Sequence, residues 1–252
     1  MRDDDRARRP ANRESRPGAS NGGIIANRFL GALPPDSFDR IVPHLRPLHL
    51  ERKETVFRSH EWQHRVIFPE TAIVSLVSRL ESGETLEVSL IGSDGFVGFP
   101  LIGARPMMPC EAIVQIAGTA YVTDANVLRR LVEVDRQLEQ ACHRFVQRLL
   151  FDSIQTSTCN MFHPVEQRCI KWLLLAHDLL GVPEIPLTHE LLATMLGAHR
   201  PTVSLVLQSL HRAGLITEGR GRVYISDRQG LERACCECYQ SMQEERRRVM
   251  TT

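Results

Sequence analysis

The stretch from Leu187 to Leu215, LTHELLATMLGAHRPTVSLVLQSLHRAGL, determines how the rest of this chain is interpreted. Thr188 is a suitable N-cap for a first helix, and Gly197 stands where a tight turn requires a positive φ. Two short helices joined by a turn that contains glycine predict a helix-turn-helix. The apolar residues form two sets with steps of three and four, the spacing of a buried helix face: Leu191, Leu192, Met195 and Leu196, then Val203, Val206, Leu207 and Leu210.

The second helix is predicted to begin near His199, with Pro201 tolerated in its first turn. In a helix-turn-helix the N-terminal end of this helix enters the major groove, where Arg200 can pair with guanine O6 and N7. Thr188 and His189 are predicted to contact phosphates. The outward-facing residues predicted to face DNA are His199, Arg200, Pro201, Thr202, Ser204, Leu205 and Gln208.

Two short apolar runs around Gly219 and Gly221 predict a β-hairpin directly after the second helix. Arg220 and Arg222 at its tip are predicted to contact the phosphate backbone as a basic wing. An ordinary pair of helices is the alternative interpretation of the two-helix pattern. The hairpin with basic residues favours a winged helix.

Composition limits what else the chain can be. The 252 residues carry a net charge of +1, so DNA affinity must come from a local basic patch. Residues 1–23 have almost no apolar side chain and predict a disordered tail. No secretory signal and no apolar run of membrane-spanning length are found, so a cytoplasmic protein without a membrane partner is expected.

Seven cysteines without a secretory signal indicate reduced thiols. The tight group Cys235, Cys236 and Cys238 has no second Cys/His pair at structural-zinc spacing near it, so structural or inert thiols are favoured. No metal and no cofactor are predicted. Metal binding or redox sensing by this group stays open.

The N-terminal half predicts an α+β arrangement. A short helical entry, residues 24–45, precedes runs rich in Val, Ile, Thr and Phe from Leu48 to Val122. Regularly spaced short strands predict an antiparallel β-roll, in which Pro69 marks a bend or an edge.

A long helix, roughly Val134 to Phe162, is predicted to follow a short helix capped by Asp124. Its apolar residues occupy more than one face, which is typical of a helix with two neighbours. One neighbour is expected to be the roll and the other a second copy of the chain; a fully intramolecular core helix is the alternative. The predicted dimer contact is the seam of Leu138, Cys142, Phe145, Leu149 and Thr156.

A β-roll, a long helix and a winged helix in this order resemble the CRP/FNR superfamily of bacterial transcription regulators. The resemblance is most specific over residues 187–204 and covers nearly everything after the tail. It implies a homodimer that contacts a pseudo-palindromic operator in double-stranded DNA, with an effector-sensing roll. The expected division is a tail at 1–23, a roll with flanking helices at 24–133, a dimerisation helix at 134–163 and a DNA-binding domain at 164–252. RNA polymerase and an unidentified small effector are kept as candidate partners.

The chain departs from this family at both functional sites. Cyclic-nucleotide-binding members carry a Glu in the turn that here contains Ser93 and Asp94, and an Arg-Ser pair where this chain has Cys110 and Glu111. These four residues are the candidate effector pocket. Weak or no binding of cyclic nucleotides is expected, because Glu111 repels a phosphate. No cysteine precedes Cys110, which removes the iron–sulfur sensor of the family.

The recognition helix lacks two side chains with which familiar members contact bases, since Pro201 and Leu205 replace them. A different operator is therefore expected, with apolar contacts to thymine methyl groups. The alternative function is a ligand- or protein-binding roll with a degenerate DNA-binding domain. An enzyme is not expected, because Cys142 and His143 are adjacent in a helix and point in different directions. Haem sensing stays open through four histidines of the roll region, His44, His49, His60 and His64.

Overall fold

The computed structural model describes residues 25–98 and 107–251. The predicted tail, residues 1–23, lies outside the described residues. The described chain opens with two short helices, α1 (Arg28–Gly31) and α2 (Pro35–Ile41), and a 3₁₀ turn (Val42–His44). Pro35 occupies the first turn of α2, where its missing N–H costs no hydrogen bond.

Within residues 25–98 and 107–251, seven antiparallel strands form the roll that the residue pattern predicts. They pair in two sheets, in the orders β1-β7-β3 and β2-β6-β4-β5. Pro69 ends β3, an edge strand of its sheet, where a residue without an N–H is tolerated. The strands are β1 (Arg46–Leu50), β2 (Thr55–Phe57), β3 (Arg65–Pro69), β4 (Ile73–Arg79), β5 (Thr85–Ile91), β6 (Glu111–Ile116) and β7 (Gly118–Asp124).

Two helices connect the roll to the C-terminal part. Asp124 caps α3 (Ala125–Val134) as predicted, and Asp135 caps the long α4 (Arg136–Phe162). The side chain of Asp135 accepts hydrogen bonds from two backbone N–H groups of the first turn of α4. The long helix therefore starts at Arg136, two residues after the predicted Val134. Helix α5 (Val165–Leu180) ends at Gly181, which has a φ of +70°.

The C-terminal part is a winged helix followed by two further helices. Its three-stranded sheet has the order β8-β10-β9. The elements are β8 (Glu184–Ile185), α6 (His189–Leu196), α7 (Arg200–Arg212), β9 (Ile216–Gly219), β10 (Arg222–Ile225), α8 (Arg228–Ala234) and α9 (Glu237–Thr251).

The roll and the winged helix share apolar contacts. Ile73, Leu90 and Ile116 of the roll are buried in one cluster with residues of α5 and α6. Helix α9 returns along α4. In the described part of the chain, no helix has both the length and the apolarity that a membrane crossing requires.

Candidate DNA interface

The helix-turn-helix forms as the sequence predicts. Thr188 Oγ1 accepts a hydrogen bond from the backbone N–H of Leu191, which caps α6. Gly197 ends the helix with a φ of +56°, a conformation that side chains disfavour. Nη1 of Arg168 donates to the carbonyl of Leu196 at 3.0 Å and so satisfies one of the free acceptors at the end of α6.

Helix α7 presents a polar face with one exposed apolar residue. Val203, Leu207 and Leu210 are buried against the domain core. The opposite side of the helix leaves Leu205 67% exposed, which is unusual for leucine. His199, Pro201, Thr202 and Gln208 are exposed with it, whereas Ser204 is half-buried. In a helix-turn-helix this exposed face of the second helix is the one that enters the major groove.

Arg200 stands at the first turn of α7 and is available for a ligand. Its side chain is 67% exposed, and its Nε lies 3.6 Å from a carboxylate oxygen of Glu190, which is also exposed. Exposed ion pairs contribute little free energy, so a base or a phosphate can replace this carboxylate.

His189 has a different role from the phosphate contact predicted for it. Its Nδ1 lies 2.9 Å from Oγ of Ser204, and its Nε2 lies 2.7 Å from a carboxylate oxygen of Glu218. Both ring nitrogens are therefore engaged within the chain. The side chain joins α6, α7 and the wing, and so positions the recognition helix.

The wing is a hairpin with a two-residue tip, Arg220 and Gly221, and a φ of +72° at the glycine. Arg222 Nη1 lies 2.7 Å from a carboxylate oxygen of Glu184 on the neighbouring strand, which offsets part of its charge. Arg220 is exposed, and within the residues that the structure describes no carboxylate pairs with it. Arg220 is thus the freer of the two predicted phosphate contacts.

The predicted dimer seam requires a correction. All five of its side chains are buried inside one chain, with exposures between 0% and 8%: Leu138, Cys142, Phe145, Leu149 and Thr156. Phe145 packs against Gly95 of the roll so closely that a Cβ at Gly95 would overlap its ring. This face of α4 covers the chain's own core and has no surface left for a second copy.

A second face of α4 is apolar and exposed. Leu150 is 62% exposed, Ile154 is 58% exposed and Met161 is 76% exposed. Their separations of four and seven residues match the a and d positions of a heptad repeat. Phe162, 76% exposed, extends the stripe at the end of the helix. The second apolar face predicted for this helix therefore exists, on the side opposite to the proposed seam.

The candidate effector residues lie at two separate places. Ser93 is buried and donates to the carbonyl of Leu179 at 3.0 Å. Asp94 is buried between Arg148 of α4 and Arg246 of α9, and the Arg246 Nη1–Asp94 Oδ2 distance is 3.3 Å. Burial alone would raise the pKa of Asp94, but the charges of Arg148 and Arg246 lower it to about 2. Both side chains therefore serve contacts between the roll and the helices.

Cys110 and Glu111 lie apart from Ser93 and Asp94, near the opposite end of β4. Glu111 pairs with Val77 of β4, whereas Ile91, the last residue of β5 before Ser93, pairs with Val74. Burial raises the pKa of the Cys110 thiol to about 11, which keeps it protonated. Arg79 holds the Glu111 carboxylate through two hydrogen bonds of 3.1 Å. The repulsion expected from Glu111 is thus largely neutralised. The four histidines considered for haem are all exposed.

The cysteine group differs from its prediction. The expectation that no Cys/His pair lies near Cys236 and Cys238 is wrong. Cys159 and His163, one turn apart at the end of α4, lie against them. The spacing Cys-x-x-x-His was visible in the sequence, but only the return of α9 along α4 brings the two pairs together.

Comparisons with known proteins agree with this geometry. A family model described as the Crp-like helix-turn-helix domain matches residues 167–234. The transcriptional regulator SdrP of Thermus thermophilus is 26% identical over 163 residues, which cover 64% of this chain and 78% of SdrP.

Solved structures share the fold over about three quarters of this chain. FixK2 from Bradyrhizobium japonicum superposes with a TM-score of 0.65 at 16% identity, covering 76% of this chain and 98% of FixK2. A CRP-family transcriptional regulator of Thermus thermophilus has a TM-score of 0.60 at 21% identity, covering 74% of this chain and 95% of its own.

Proposed function

We propose that this chain, a DNA-binding transcription regulator of the CRP/FNR type, acts as a homodimer on a pseudo-palindromic operator. One observation carries the proposal: the N-terminal half of α7 and the tip of the wing are both exposed. Both lie within the segment that matches the Crp-like helix-turn-helix domain. Half to two-thirds of protein–DNA hydrogen bonds go to phosphate and sugar, and Arg220 suits that role. Base recognition then belongs to Arg200, Thr202 and Leu205.

The exposed stripe on α4 supports the homodimer. Leu150, Ile154 and Met161 present apolar surface in a heptad pattern on a helix of 27 residues. Two copies that pack along this stripe bury it, and burial contributes roughly 25 cal/mol per Å² of apolar surface. A twofold axis along α4 relates two recognition helices, as a pseudo-palindrome requires.

The roll is proposed to respond to something other than a cyclic nucleotide. A cyclic phosphate needs an unpaired cation or a hydrogen-bond donor in the pocket, and these positions do not offer one. Ser93 and Asp94 are engaged with the helices, and Glu111 occupies Arg79. Micromolar affinity for cyclic AMP in calorimetry would contradict this part of the proposal.

The remaining parts follow from the same arrangement. We assign the roll with its flanking helices to residues 24–133, the dimerisation helix to 134–163 and the DNA-binding domain to 164–252. A regulator of this type works where the chromosome lies, so the proposal places it in the bacterial cytoplasm. RNA polymerase and a small effector are the further partners proposed for it.

Selection from random duplexes with the full-length chain tests the proposal. Enriched sites are expected to be inverted repeats with half-site centres roughly 10 base pairs apart. Arg200→Ala should cost about 1–3 kcal/mol at one base position of each half-site. Arg212→Ala is the matched control, because Arg212 is exposed at the opposite end of α7. No enriched site, together with no DNA retention at moderate salt, would instead indicate a degenerate DNA-binding domain.

A further inference from the structure

We propose that Cys159, His163, Cys236 and Cys238 form a binding site for one zinc ion. The first two residues lie on the last turn and C-cap of α4, and the other two flank Glu237 at the start of α9. The ligand atoms of all four residues lie within 4.8 Å of one another. The site therefore joins the end of the long helix to the helix that returns along it.

The distances fit a tetrahedral ion. Cys159 Sγ lies 3.7 Å from Cys236 Sγ, and Cys238 Sγ lies 3.5 Å from His163 Nδ1. Zinc bonds of about 2.3 Å to sulfur and about 2.0 Å to nitrogen place tetrahedral ligands about 3.8 Å apart for two sulfurs and about 3.5 Å apart for sulfur and nitrogen. The Cys159–Cys236 pair and the Cys238–His163 pair thus already stand at the separations that a single bound zinc imposes, and the remaining ligand pairs lie within 4.8 Å.

The surroundings of the site are those of a structural centre. Cys159, Cys236 and Cys238 are 0% to 5% exposed, and the His163 side chain is 15% exposed. His163 turns its other ring nitrogen, Nε2, toward a carboxylate oxygen of Glu237 at 3.3 Å. A carboxylate that orients a metal-binding imidazole in this way is a common outer partner of zinc sites. Four protein ligands close the coordination sphere, which is typical of structural rather than catalytic zinc.

Zinc fits these ligands better than hard cations do. Three thiolates and one imidazole in a tetrahedral arrangement favour zinc, while hard cations prefer oxygen ligands. Four ligand atoms within 4.8 Å of one another have room between them for a single ion. Cys159 and Cys236 could alternatively join as a disulfide, but this would leave Cys238 and His163 without a shared partner.

A bound ion would affect the regulator through α9. This helix carries Arg246, whose guanidinium bridges Asp94 of the roll and Asp152 of α4. Zinc at the start of α9 fixes the helix and thereby holds Arg246 between Asp94 and Asp152. Metal binding is therefore coupled to the contact between the roll and the long helix.

Metal content of the full-length chain tests the proposal. The protein, stripped of metal and reloaded with Zn²⁺ under reducing conditions, should retain about one zinc per chain after gel filtration. Replacement by Co²⁺ should give the absorption spectrum of a tetrahedral thiolate site. Cys238→Ser and His163→Gln should lower retained zinc to a small fraction of the wild-type content.

Two matched variants separate this site from general thiol binding. Cys235→Ser removes the neighbouring cysteine that is not among the four ligands, and Cys110→Ser removes a buried thiol of the roll. Both should keep the wild-type zinc content. Equal zinc retention by wild type and Cys238→Ser, iron in place of zinc, or a Cys159–Cys236 disulfide in protein purified without reductant would each overturn the proposal. These measurements involve no DNA, so their failure leaves the proposed regulator role intact.

Discussion

Glu87 should make the stability of this protein depend on pH near neutrality. Its carboxylate is buried on β5, where it accepts hydrogen bonds from Ser75 Oγ and from Trp172 Nε1, the latter at 3.3 Å. Burial raises the pKa of Glu87 to about 7, and the hydrogen bonds and the charge of Lys171 only partly oppose this rise. Because Trp172 belongs to α5, the group bridges the roll and the DNA-binding domain.

The size and sign of the effect follow from the pKa difference. The folded pKa of about 7 lies above the ordinary value of 4.5, so the folded state of Glu87 binds more protons than the unfolded state between these values. Its contribution is fully present below about pH 4.5 and is lost as the pH rises through about 7. One pKa unit is 1.36 kcal/mol, so the loss amounts to about 3 kcal/mol. Glu87→Gln keeps the shape of the side chain and removes the titration.

Urea unfolding of wild type and Glu87→Gln at fixed protein concentration measures this loss. Between about pH 5 and about pH 8, the free energy of unfolding of the variant should rise relative to that of wild type by about 2.5 kcal/mol, most of the full loss. Glu111→Gln is the control: Arg79 lowers the pKa of Glu111, so its contribution is lost only as the pH falls through that lowered value. Parallel pH profiles for wild type and Glu87→Gln would refute the reasoning.

Three further substitutions test other parts of the molecule. Ile154→Glu places a charge on the exposed stripe of α4 and should shift the sedimenting species from dimer toward monomer. The circular dichroism of the chain should not change. An unchanged dimer would exclude this stripe as the dimer contact. Arg220→Ala should weaken binding to all duplexes alike and reduce the slope of log affinity against log salt concentration by about one unit. Arg222→Ala should have a smaller effect, because Arg222 already pairs with a neighbouring carboxylate. A loss that depends on the DNA sequence would contradict a phosphate contact. Arg246→Ala leaves the buried carboxylates of Asp94 and Asp152 less well paired and should lower the free energy of unfolding by about 3–5 kcal/mol. A loss below about 1 kcal/mol would show that water reaches these carboxylates.

The helix-turn-helix was predictable from the sequence because its signals are local. Thr188 caps α6, Gly197 takes the left-handed turn, and the apolar residues repeat at helical spacing. Each signal depends on neighbours within four residues, so no knowledge of the rest of the chain is needed. The strands of the roll were predictable for the same reason, since turn residues separate runs rich in β-branched residues.

The partner of each α4 face was not predictable, because periodicity identifies an apolar face without identifying what covers it. The residues of the predicted seam and those of the exposed stripe have similar spacing and similar hydrophobicity. The close approach of Phe145 to Gly95, which the sequence does not reveal, decides between them. The pairing of Cys159 with Cys236 likewise joins residues 77 positions apart and depends on the path of α9.

The same long-range contacts determine how the roll can influence DNA binding. Residues of the roll touch the DNA-binding domain directly: Arg52 Nη2 lies 3.4 Å from Oγ1 of Thr188, and Leu86 packs on the turn at Gly197, where a Cβ would stand 3.2 Å from its side chain. Helix α6 is thus held against the roll at both of its ends. Helix α6 contacts β5 and α7 packs on α6, so we expect a displacement of β5 to shift the recognition helix. If α4 lies at the twofold axis of the proposed dimer, such a shift changes the distance between the two recognition helices. We therefore expect an effector that alters the packing of β5 to change operator affinity.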